Sequence, residues 1–419
     1  MKLWVWGSNY AGGLGDGTEE DRSSPVQTIT LGTTWKSANV GYSTVLALKE
    51  DGSLWGWGLN SYGAVGNLDT TSVSSPVHIA QGKTWKSVCS PKYYYGNSCA
   101  IDSNNKLFAW GYNSYGGLGL EDTDHRSSPV QVGNEDWSMA SCGSYSIGAI
   151  DTNKKLWMAG SNYYGQLGLE DTSIRSSLTQ VGNNNWDMVA VGYLSTLAIK
   201  SDGTLWSWGY NNDGQLGLGD TNDYSSPNQV GNASDWKIVA INNYHSAAIK
   251  NDGRLFLWGQ GSNGQLGQGD VQGTSSPVQV DGDWMDVSCG EYHTIGIRSD
   301  GTVWCWGSNG NGELGDNTSE DRSSPVQIYA YKTGWNSVSA GSLSLAINGE
   351  EPVPTKSCSN LSCSTPAFKC YVGVTESCAC ARWKFYTAQC TRIQQSLGIC
   401  SGTSGAYVPA ITVCNQKLF

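Results

Sequence analysis

The sequence predicts an all-β fold: a seven-bladed β-propeller of four-stranded blades, followed by a small disulfide-rich C-terminal domain. Three observations support the propeller. A Trp-Gly pair, replaced once by Ala-Gly, recurs seven times at intervals of 48 to 53 residues. Each unit holds four short apolar runs between glycine-rich turns, and the chain begins with the run that its last unit lacks. A period near fifty with this composition is typical of a propeller or solenoid.

The first run of each unit begins with a tryptophan, at Trp35, Trp85, Trp137, Trp186, Trp236, Trp284 and Trp335. The third run ends at the Trp-Gly pair and carries a second aromatic residue two positions earlier. Alternate residues of a strand share one face, so both aromatic side chains point the same way. Nineteen tryptophans are compatible with a sugar-binding surface, but their periodic spacing favours packing between neighbouring blades.

The turns and the outer strand have their own signals. Asp-Gly pairs such as Asp51-Gly52 separate the second run from the third, which is typical of a two-residue hairpin. In the turn after the third run, Gly214 and Gly217 are predicted to take the positive φ that other residues disfavour. The Ser-Ser-Pro-Val-Gln run contains proline, which cannot donate to a strand ladder, so we place it at the edge of the blade.

The two ends of the repeat region complement each other. The last unit stops at 343–348 without a Trp-Gly strand, and residues 2–7 are such a strand. One blade built from both ends would close the ring and remove its free edges.

These motifs carry a family resemblance. The patterns Trp-Gly-x-Asn-x-x-Gly-Gln-Leu-Gly and Ser-Ser-Pro-Val-Gln-Val, with Tyr-His-Thr before an Ile strand, resemble the regulator of chromosome condensation repeat over residues 1–349. The resemblance implies a seven-bladed propeller, often closed by a strand from the other terminus. It does not imply one function, since such propellers include exchange factors for a small nuclear GTPase, ubiquitin-ligase modules and a secreted β-lactamase inhibitor.

The charge is distributed unevenly. Residues from Pro352 onward carry six basic side chains and one acidic one, whereas the whole chain has a net charge of −11, so the preceding 351 residues carry a net charge of −16. An acidic ring is a poor match for phosphates, which argues against a nucleic-acid partner. No apolar run approaches eighteen residues and no signal peptide precedes the first Trp-Gly, so we expect no membrane span.

The cysteines mark a second domain. Eight of the thirteen lie in the last 62 residues, 358–419, after a Pro-rich linker at 350–357. This density predicts a disulfide framework rather than a zinc site, because the tail lacks His and the Cys-x-x-Cys spacing. The candidates are Cys358, Cys363, Cys370, Cys378, Cys380, Cys390, Cys400 and Cys414. In the propeller, Cys89 and Cys99 end and begin adjacent runs, so a disulfide across that hairpin is a further candidate, with small buried side chains as the alternative.

No catalytic group is predicted. His245 and His293 occupy one repeat position, where other units have Thr or Ser, so a structural hydrogen bond is favoured over catalysis. His78 and His125 lack a nucleophile at useful spacing. The acidic loops match no calcium motif. We therefore predict a protein that is not an enzyme, with no metal and no cofactor.

The best binding candidates are tyrosines. An insertion at 91–97 breaks the repeat and places Tyr93, Tyr94 and Tyr95 on a loop, where tyrosine offers rigid contact area at low entropy cost. Equivalent loops carry Tyr42, Tyr145, Tyr193, Tyr244 and Tyr292, so one face of the propeller is predicted to carry a ring of tyrosines. Packing against adjacent blades is the alternative for the whole set.

These observations favour a non-catalytic interaction or structural protein. The propeller would be the scaffold for a protein partner or for other copies of the chain, and the tail an anchor. Dense cysteines predict an oxidising location outside the cell, on a cell surface, or on a virion or filament. The alternatives are a guanine-nucleotide exchange factor for a small GTPase in the cytoplasm or nucleus, and a carbohydrate-binding propeller that takes a glycan on its tyrosine loops.

Overall fold

The computed structural model describes residues 1–29, 35–329 and 333–349, and the backbone of three short strands further along the chain. The chain divides into two compact units, residues 1–350 and 351–419. Within the second unit, β29 (Phe368–Val372) pairs with β30 (Cys378–Lys384), which pairs with β31 (Val408–Pro409). The predicted linker and the crosslinks of the tail cysteines lie outside the described residues.

The first unit is the predicted propeller, with seven antiparallel sheets of four strands each. The first strand of each blade lies innermost, beside the first strands of the two neighbouring blades. We number the blades 1 to 7 by these strands: β3 (Trp35–Val40), β7 (Trp85–Cys89), β11 (Trp137–Cys142), β15 (Trp186–Val191), β19 (Trp236–Ile241), β23 (Trp284–Cys289) and β27 (Trp335–Ala340).

The second and third strands form the buried middle of each blade. The second strands are β4 (Thr44–Lys49), β8 (Asn97–Asp102), β12 (Ser146–Asp151), β16 (Ser195–Lys200), β20 (His245–Lys250), β24 (His293–Arg298) and β28 (Leu343–Asn348). The third strands, which end on the repeated Gly, are β5 (Leu54–Gly58), β9 (Leu107–Gly111), β13 (Leu156–Gly160), β17 (Leu205–Gly209), β21 (Leu255–Gly259), β25 (Val303–Gly307) and β1 (Lys2–Gly7).

The fourth strand of each blade is the outer edge, as its proline predicts. These strands are β6 (Val73–Ile79), β10 (Arg126–Gln131), β14 (Arg175–Gln180), β18 (Tyr224–Gln229), β22 (Thr274–Val280), β26 (Arg322–Gln327) and β2 (Arg22–Gln27). Two single 3₁₀ turns, η1 (Tyr10–Gly12) and η2 (Ser61–Gly63), lie between third and fourth strands. Gly214 and Gly217 take the predicted positive φ, at 76° and 73°.

Blade 7 is shared between the two ends of the propeller. Its sheet has the order β2-β1-β28-β27, and β1 pairs along its whole length with β28, from Lys2 opposite Asn348 to Gly7 opposite Leu343. The closure predicted from the sequence is confirmed. It gives every middle strand of the ring a hydrogen-bonded partner on both sides.

Five of the seven joints between blades are bridged in the same way by the indole N–H of the repeated tryptophan. The indole N–H of Trp208 donates to the Gln166 carbonyl of the preceding blade at 2.9 Å, and the Thr196 hydroxyl donates to the same oxygen at 2.9 Å. Trp258 and Ser246 repeat the arrangement on the Gln215 carbonyl. The periodic tryptophans are therefore buried joints between blades, as predicted. Among the described residues, no helix is both long and apolar enough to cross a membrane.

Candidate functional site

One end of the ring carries most of the tyrosines. In an antiparallel blade, the loop from the first to the second strand and the loop from the third to the fourth strand lie at the same end. We call this end the tyrosine face, because its loops hold fifteen tyrosines: Tyr10, Tyr42, Tyr62, Tyr93, Tyr94, Tyr95, Tyr112, Tyr115, Tyr145, Tyr163, Tyr164, Tyr193, Tyr210, Tyr244 and Tyr292.

The insertion loop of blade 2 lies across the centre of this face. Its Pro91 carbonyl accepts a hydrogen bond from the backbone N–H of Tyr42 in blade 1, at 2.8 Å. The Tyr93 ring contacts tyrosines of three other blades: its centroid lies 6.2 Å from that of Tyr42, 6.3 Å from that of Tyr145 and 4.9 Å from that of Tyr193. The insertion therefore joins tyrosines that the repeat alone would leave separated around the ring.

The other two tyrosines of the insertion extend the contacts outward. The Tyr94 ring lies 6.3 Å from Tyr10, and the Tyr95 ring lies 5.4 Å from Tyr62 in a T-shaped arrangement. Tyr95 remains 41% exposed, whereas Tyr93 and Tyr94 are half-buried. The expected position of the insertion, partly exposed on one face and next to Tyr145, agrees with the structure.

Tyrosines of the third-to-fourth loops complete a continuous cluster. Tyr112 stacks on His125 with ring centroids 4.9 Å apart, and Tyr115 lies 5.2 Å from Tyr145. At the outer end, Tyr163 contacts Tyr115 and is 59% exposed. We call this set the tyrosine cluster: Tyr10, Tyr42, Tyr62, Tyr93, Tyr94, Tyr95, Tyr112, Tyr115, Tyr145, Tyr163, Tyr193 and His125.

The predicted residues fall into two groups. Tyr42, Tyr145 and Tyr193 join the insertion in the cluster, whereas Tyr244 and Tyr292 form a separate stacked pair, 5.4 Å apart. The cluster members of the third-to-fourth loops were not predicted from the sequence. The signal was present, because an aromatic residue follows the repeated Gly within four positions at Tyr10, Tyr62, Tyr112, Tyr115 and Tyr163.

Burial favours the uncharged form of three tyrosines and the histidine of the cluster. Loss of solvent raises the pKa of Tyr42, Tyr145 and Tyr193, with neighbouring acidic or phenolic groups contributing. Desolvation lowers the pKa of His125, and its Nδ1 accepts a hydrogen bond from the Asn113 backbone N–H at 2.9 Å. The cluster therefore combines apolar ring surface with neutral hydroxyl donors and acceptors, the chemistry typical of a protein-binding surface.

A cavity of about 350 Å³ lies at the centre of the ring, lined by the first strands of all seven blades. Met139, Met188 and Val239 form part of its wall, and Lys92 of the insertion also faces it. The wall is mostly apolar side chains and small hydroxyls.

The repeat-position histidines are structural, as predicted. His245 and His293 are 0% and 2% exposed. The Nε2 of His245 lies 2.9 Å from the Thr294 hydroxyl, which itself donates to the Gln265 carbonyl. That hydroxyl must therefore accept, so the neutral His245 ring carries its proton on Nε2.

We predict that these two histidines weaken the fold as the pH falls. Burial lowers the pKa of His245 to about 3 and that of His293 to about 4. An unfolded histidine takes up its proton near pH 6.5, so the stability they contribute is complete above that value and is lost as the pH falls towards 4. Each histidine should lower the free energy of unfolding by about 1 to 2 kcal/mol when the pH falls from 7 to 5. Unfolding in urea at both pH values should show this loss.

A double variant isolates the effect. His245→Asn/His293→Asn introduces the residue that Asn97 supplies at the same position in blade 2. It should lose much less stability between pH 7 and pH 5 than the unchanged chain does. An equal loss in both proteins would contradict the assignment.

The cysteines of blade 2 differ from expectation. Cys89 lies opposite Cys99 on the paired strands, as the hairpin predicts, but both thiols are free. The disulfide proposed between them is therefore not formed in the structure. The Cys89 sulfur faces the next blade instead, where it accepts a hydrogen bond from the Cys142 backbone N–H at 3.3 Å.

Three family models match the propeller, and all three describe the same type of repeat. Residues 1–285 match the RCC1-like domain, and residues 286–313 and 300–346 each match the regulator of chromosome condensation (RCC1) repeat. The ultraviolet-B receptor UVR8 of Arabidopsis thaliana is 32% identical over 149 residues, which are 34% of this chain and 33% of UVR8. The human probable E3 ubiquitin-protein ligase HERC4 is 28% identical over 31% of this chain and 12% of its own length. The matched region thus spans a third or less of these relatives.

Solved structures show the same fold at lower identity. Human WBSCR16 superposes with a TM-score of 0.75 at 20% identity, over 83% of this chain and all of that one. Prp20p of Saccharomyces cerevisiae, whose structure was described with its binding to Gsp1p and histones, gives a TM-score of 0.73 at 21% identity, over 82% of this chain and 90% of its own.

Proposed function

This chain belongs to the RCC1-like domain family, a family of protein-interaction scaffolds, and we propose that it binds a partner protein through its tyrosine face. The observation that carries the proposal is the tyrosine cluster, which crosses from blade 7 to blade 4 without a break. Single exposed aromatic residues are ordinary on a protein surface, but a large continuous group is typical of an interaction surface.

The cluster is also asymmetric around the ring. The third-to-fourth loops of blades 5 and 6 carry no tyrosine and have polar residues such as Gln260, Asn263 and Asn311 instead. A role in packing the strands of the repeat would be expected in every blade, since all seven blades have the same strand order. The restriction to one side of the face therefore supports recognition, with the insertion loop at its centre.

Site-specific photocrosslinking tests the proposal. A photoreactive aromatic amino acid at position 95, which is exposed within the cluster, should capture a protein partner from the native source. The matched control places it at position 329, a tyrosine of similar exposure, 37% against 41%, that lies between β26 and β27 and therefore at the opposite end of the ring. Capture from both positions alike, capture of another copy of this chain, or binding to a glycan array alone would contradict the proposal.

We predict that a triple substitution separates binding from stability. Changing Tyr93, Tyr94 and Tyr95 to Ala removes the centre of the cluster, and aromatic anchors of this kind cost about 2 kcal/mol or more when truncated. Affinity for the captured partner should fall by at least about 30-fold. The melting temperature should change little, because the loop lies outside the blade sheets. Unfolding of the variant would instead make the insertion a packing element.

Nucleotide exchange on a small GTPase is the second candidate. It is supported by the fold shared with Prp20p, for which binding to Gsp1p is described. At 21% identity the similarity shows the fold alone, so nucleotide exchange must be tested by a direct assay. Faster release of labelled GDP from the captured partner would support it.

We also propose that the protein works in an oxidising setting, outside the cell or on a cell or virion surface. The support is the eight cysteines in the last 62 residues, which cannot rely on a large core. All eight should resist alkylation until a reductant is added, as measured by intact mass. Free tail thiols without reductant would contradict this location and favour the cytoplasm or nucleus.

A further inference from the structure

Three cysteines converge at the joint between blades 2 and 3. Cys89 ends β7, Cys99 lies opposite it on β8, and Cys142 ends β11 in the next blade. Their three sulfur atoms all lie within 4.8 Å of one another. Cys99 and Cys142 are fully buried, and Cys89 is 8% exposed. We call this group the thiol cluster.

The other six joints show that the fold does not require sulfur here. In four of them the residue equivalent to Cys89 is a serine or asparagine that accepts the same hydrogen bond from the next blade, for example Ser141 from the Val191 N–H at 3.0 Å. In each of the other six joints, three residues correspond in order to Cys89, Cys99 and Cys142. They are Asn39, Leu46 and Ser90; Ser141, Gly148 and Val191; Ala190, Leu197 and Ile241; Ala240, Ala247 and Cys289; Ser288, Ile295 and Ala340; and Ser339, Leu345 and Val40.

This comparison separates the thiol cluster from ordinary core packing. One joint has a sulfur at all three positions, one has a sulfur at a single position, and the other five have none. Buried cysteines that act as small apolar residues would have no reason to gather at one joint. Three soft donors in reach of one another are instead a set of ligands for a thiophilic metal ion.

A positively charged side chain and the central cavity both lie next to the thiol cluster. Lys92 faces the same central cavity as Cys89 and supplies a positive charge on that side of the cluster. Cys89 and Lys92 both line the central cavity, so an ion and the released protons have a path along the axis. Lys92 belongs to the insertion loop, which begins directly after Cys89 and Ser90.

We propose that Cys89, Cys99 and Cys142 bind one thiophilic d¹⁰ metal ion, zinc(II). Zinc binds thiolates at about 2.3 Å in a tetrahedron, which sets neighbouring sulfurs about 3.8 Å apart, so the cluster closes by about 1 Å at most. Three thiolates and Zn²⁺ leave one negative charge, which the Lys92 ammonium offsets. The thiol protons leave through the cavity, and water on the cavity side takes the fourth position.

Cobalt(II) and zinc(II) provide the test, on the full chain kept reduced with a phosphine. Cobalt reports thiolate ligands through a charge-transfer absorption in the near ultraviolet. The variant Cys89→Ser/Cys99→Ala/Cys142→Val takes each residue from an equivalent joint, so its blades should assemble normally. The matched control Cys289→Val/Cys305→Ala removes the other two propeller cysteines, which lie outside the cluster.

The unchanged chain and the control should each bind one more equivalent of cobalt than the cluster variant. Zinc should also raise their melting temperatures, whereas the cluster variant should not respond to the same degree. The eight tail cysteines are present in all three proteins, so the difference reports the cluster alone. Equal metal content in the three proteins, a metal equivalent lost in the control, or binding of copper(I) with no zinc would overturn the proposal.

The metal-site proposal and the partner proposal can be contradicted independently of each other. Metal content is measured without any partner, and the photocrosslinking at position 95 needs no metal. Burial also keeps these three sulfurs from solvent oxidants in any compartment.

Discussion

Deleting residues 1–7 should unfold the propeller or leave it insoluble. The deletion removes β1, so β28 loses its partner on one side and β2 loses its only one. Two packing groups also lose members: Leu3 and Val5 pack towards blade 1 with Trp57, whereas Trp6 packs towards blade 6 with Leu314. All three removed side chains are fully buried.

The expected loss is large compared with the stability of a whole domain. Each buried apolar side chain of this size contributes about 1.5 to 3 kcal/mol, and a typical domain is stable by only about 5 to 15 kcal/mol. Urea unfolding, or the soluble fraction when no folded protein is obtained, measures the effect. Lys2→Ala is the control, because it keeps the main-chain pairing of β1. If the shortened protein has the same stability as the unchanged chain, the ring does not depend on this closure.

Substituting Gly341 by Ala should produce the next largest loss, from a single methyl group. A Cβ at Gly341 would lie inside the van der Waals radius of the Gly41 carbonyl oxygen, and a Cβ at Gly41 would meet the Pro91 carbonyl in the same way. Both atoms are backbone, so neither can rotate away. These loops also hold the insertion, since Tyr42 N–H bonds to Pro91 and Ser342 N–H bonds to Tyr42.

We expect Gly341→Ala to cost about 3 kcal/mol or more, since overpacking against fixed backbone costs about 1 to 3 kcal/mol even where side chains can move. Gly310→Ala is the matched control, because it lies on the same face and its Cβ would meet nothing within 4 Å. Differential scanning calorimetry of the two variants checks the result. Similar melting temperatures would show that the closing joint between blades 7 and 1 can shift freely.

The elements that the sequence predicted correctly are those that depend on local chemistry. The strands, the positions of the glycine turns and the outer proline strand follow from periodicity, from glycine at positive φ and from a missing backbone donor. The Asp-Gly turns are longer than the predicted two residues, because the Lys49 N–H donates to the Ser53 carbonyl and leaves three residues, 50–52, in the turn. These features are written within one unit of about fifty residues. The packing of Trp208 between blades and the structural hydrogen bond of His245 were predicted for the same reason, because each residue repeats at one position of the unit.

The sites, by contrast, combine residues from different units. Tyr93 reaches Tyr193 because the closed ring brings blades 2 and 4 to a common axis, and no spacing in the sequence states that distance. Cys89 was expected to pair with Cys99 on its own hairpin, yet its sulfur also faces Cys142, 53 positions away. The missed tyrosines, such as Tyr62 and Tyr112, lie on the other set of loops and join the cluster at the same end of the blades.

The sequence by itself therefore determined the repeat and the strand order within a blade, because hydrogen bonding and side-chain alternation act between near neighbours. It also determined the closure of the ring, because the two ends of the propeller carry complementary parts of one unit. The tertiary structure alone decided which tyrosines form one surface and which cysteines share one joint. The reason is geometric: a closed ring converts a separation of about fifty residues along the chain into a contact of a few ångströms. That conversion depends on how the blades pack around the axis, which no single unit encodes.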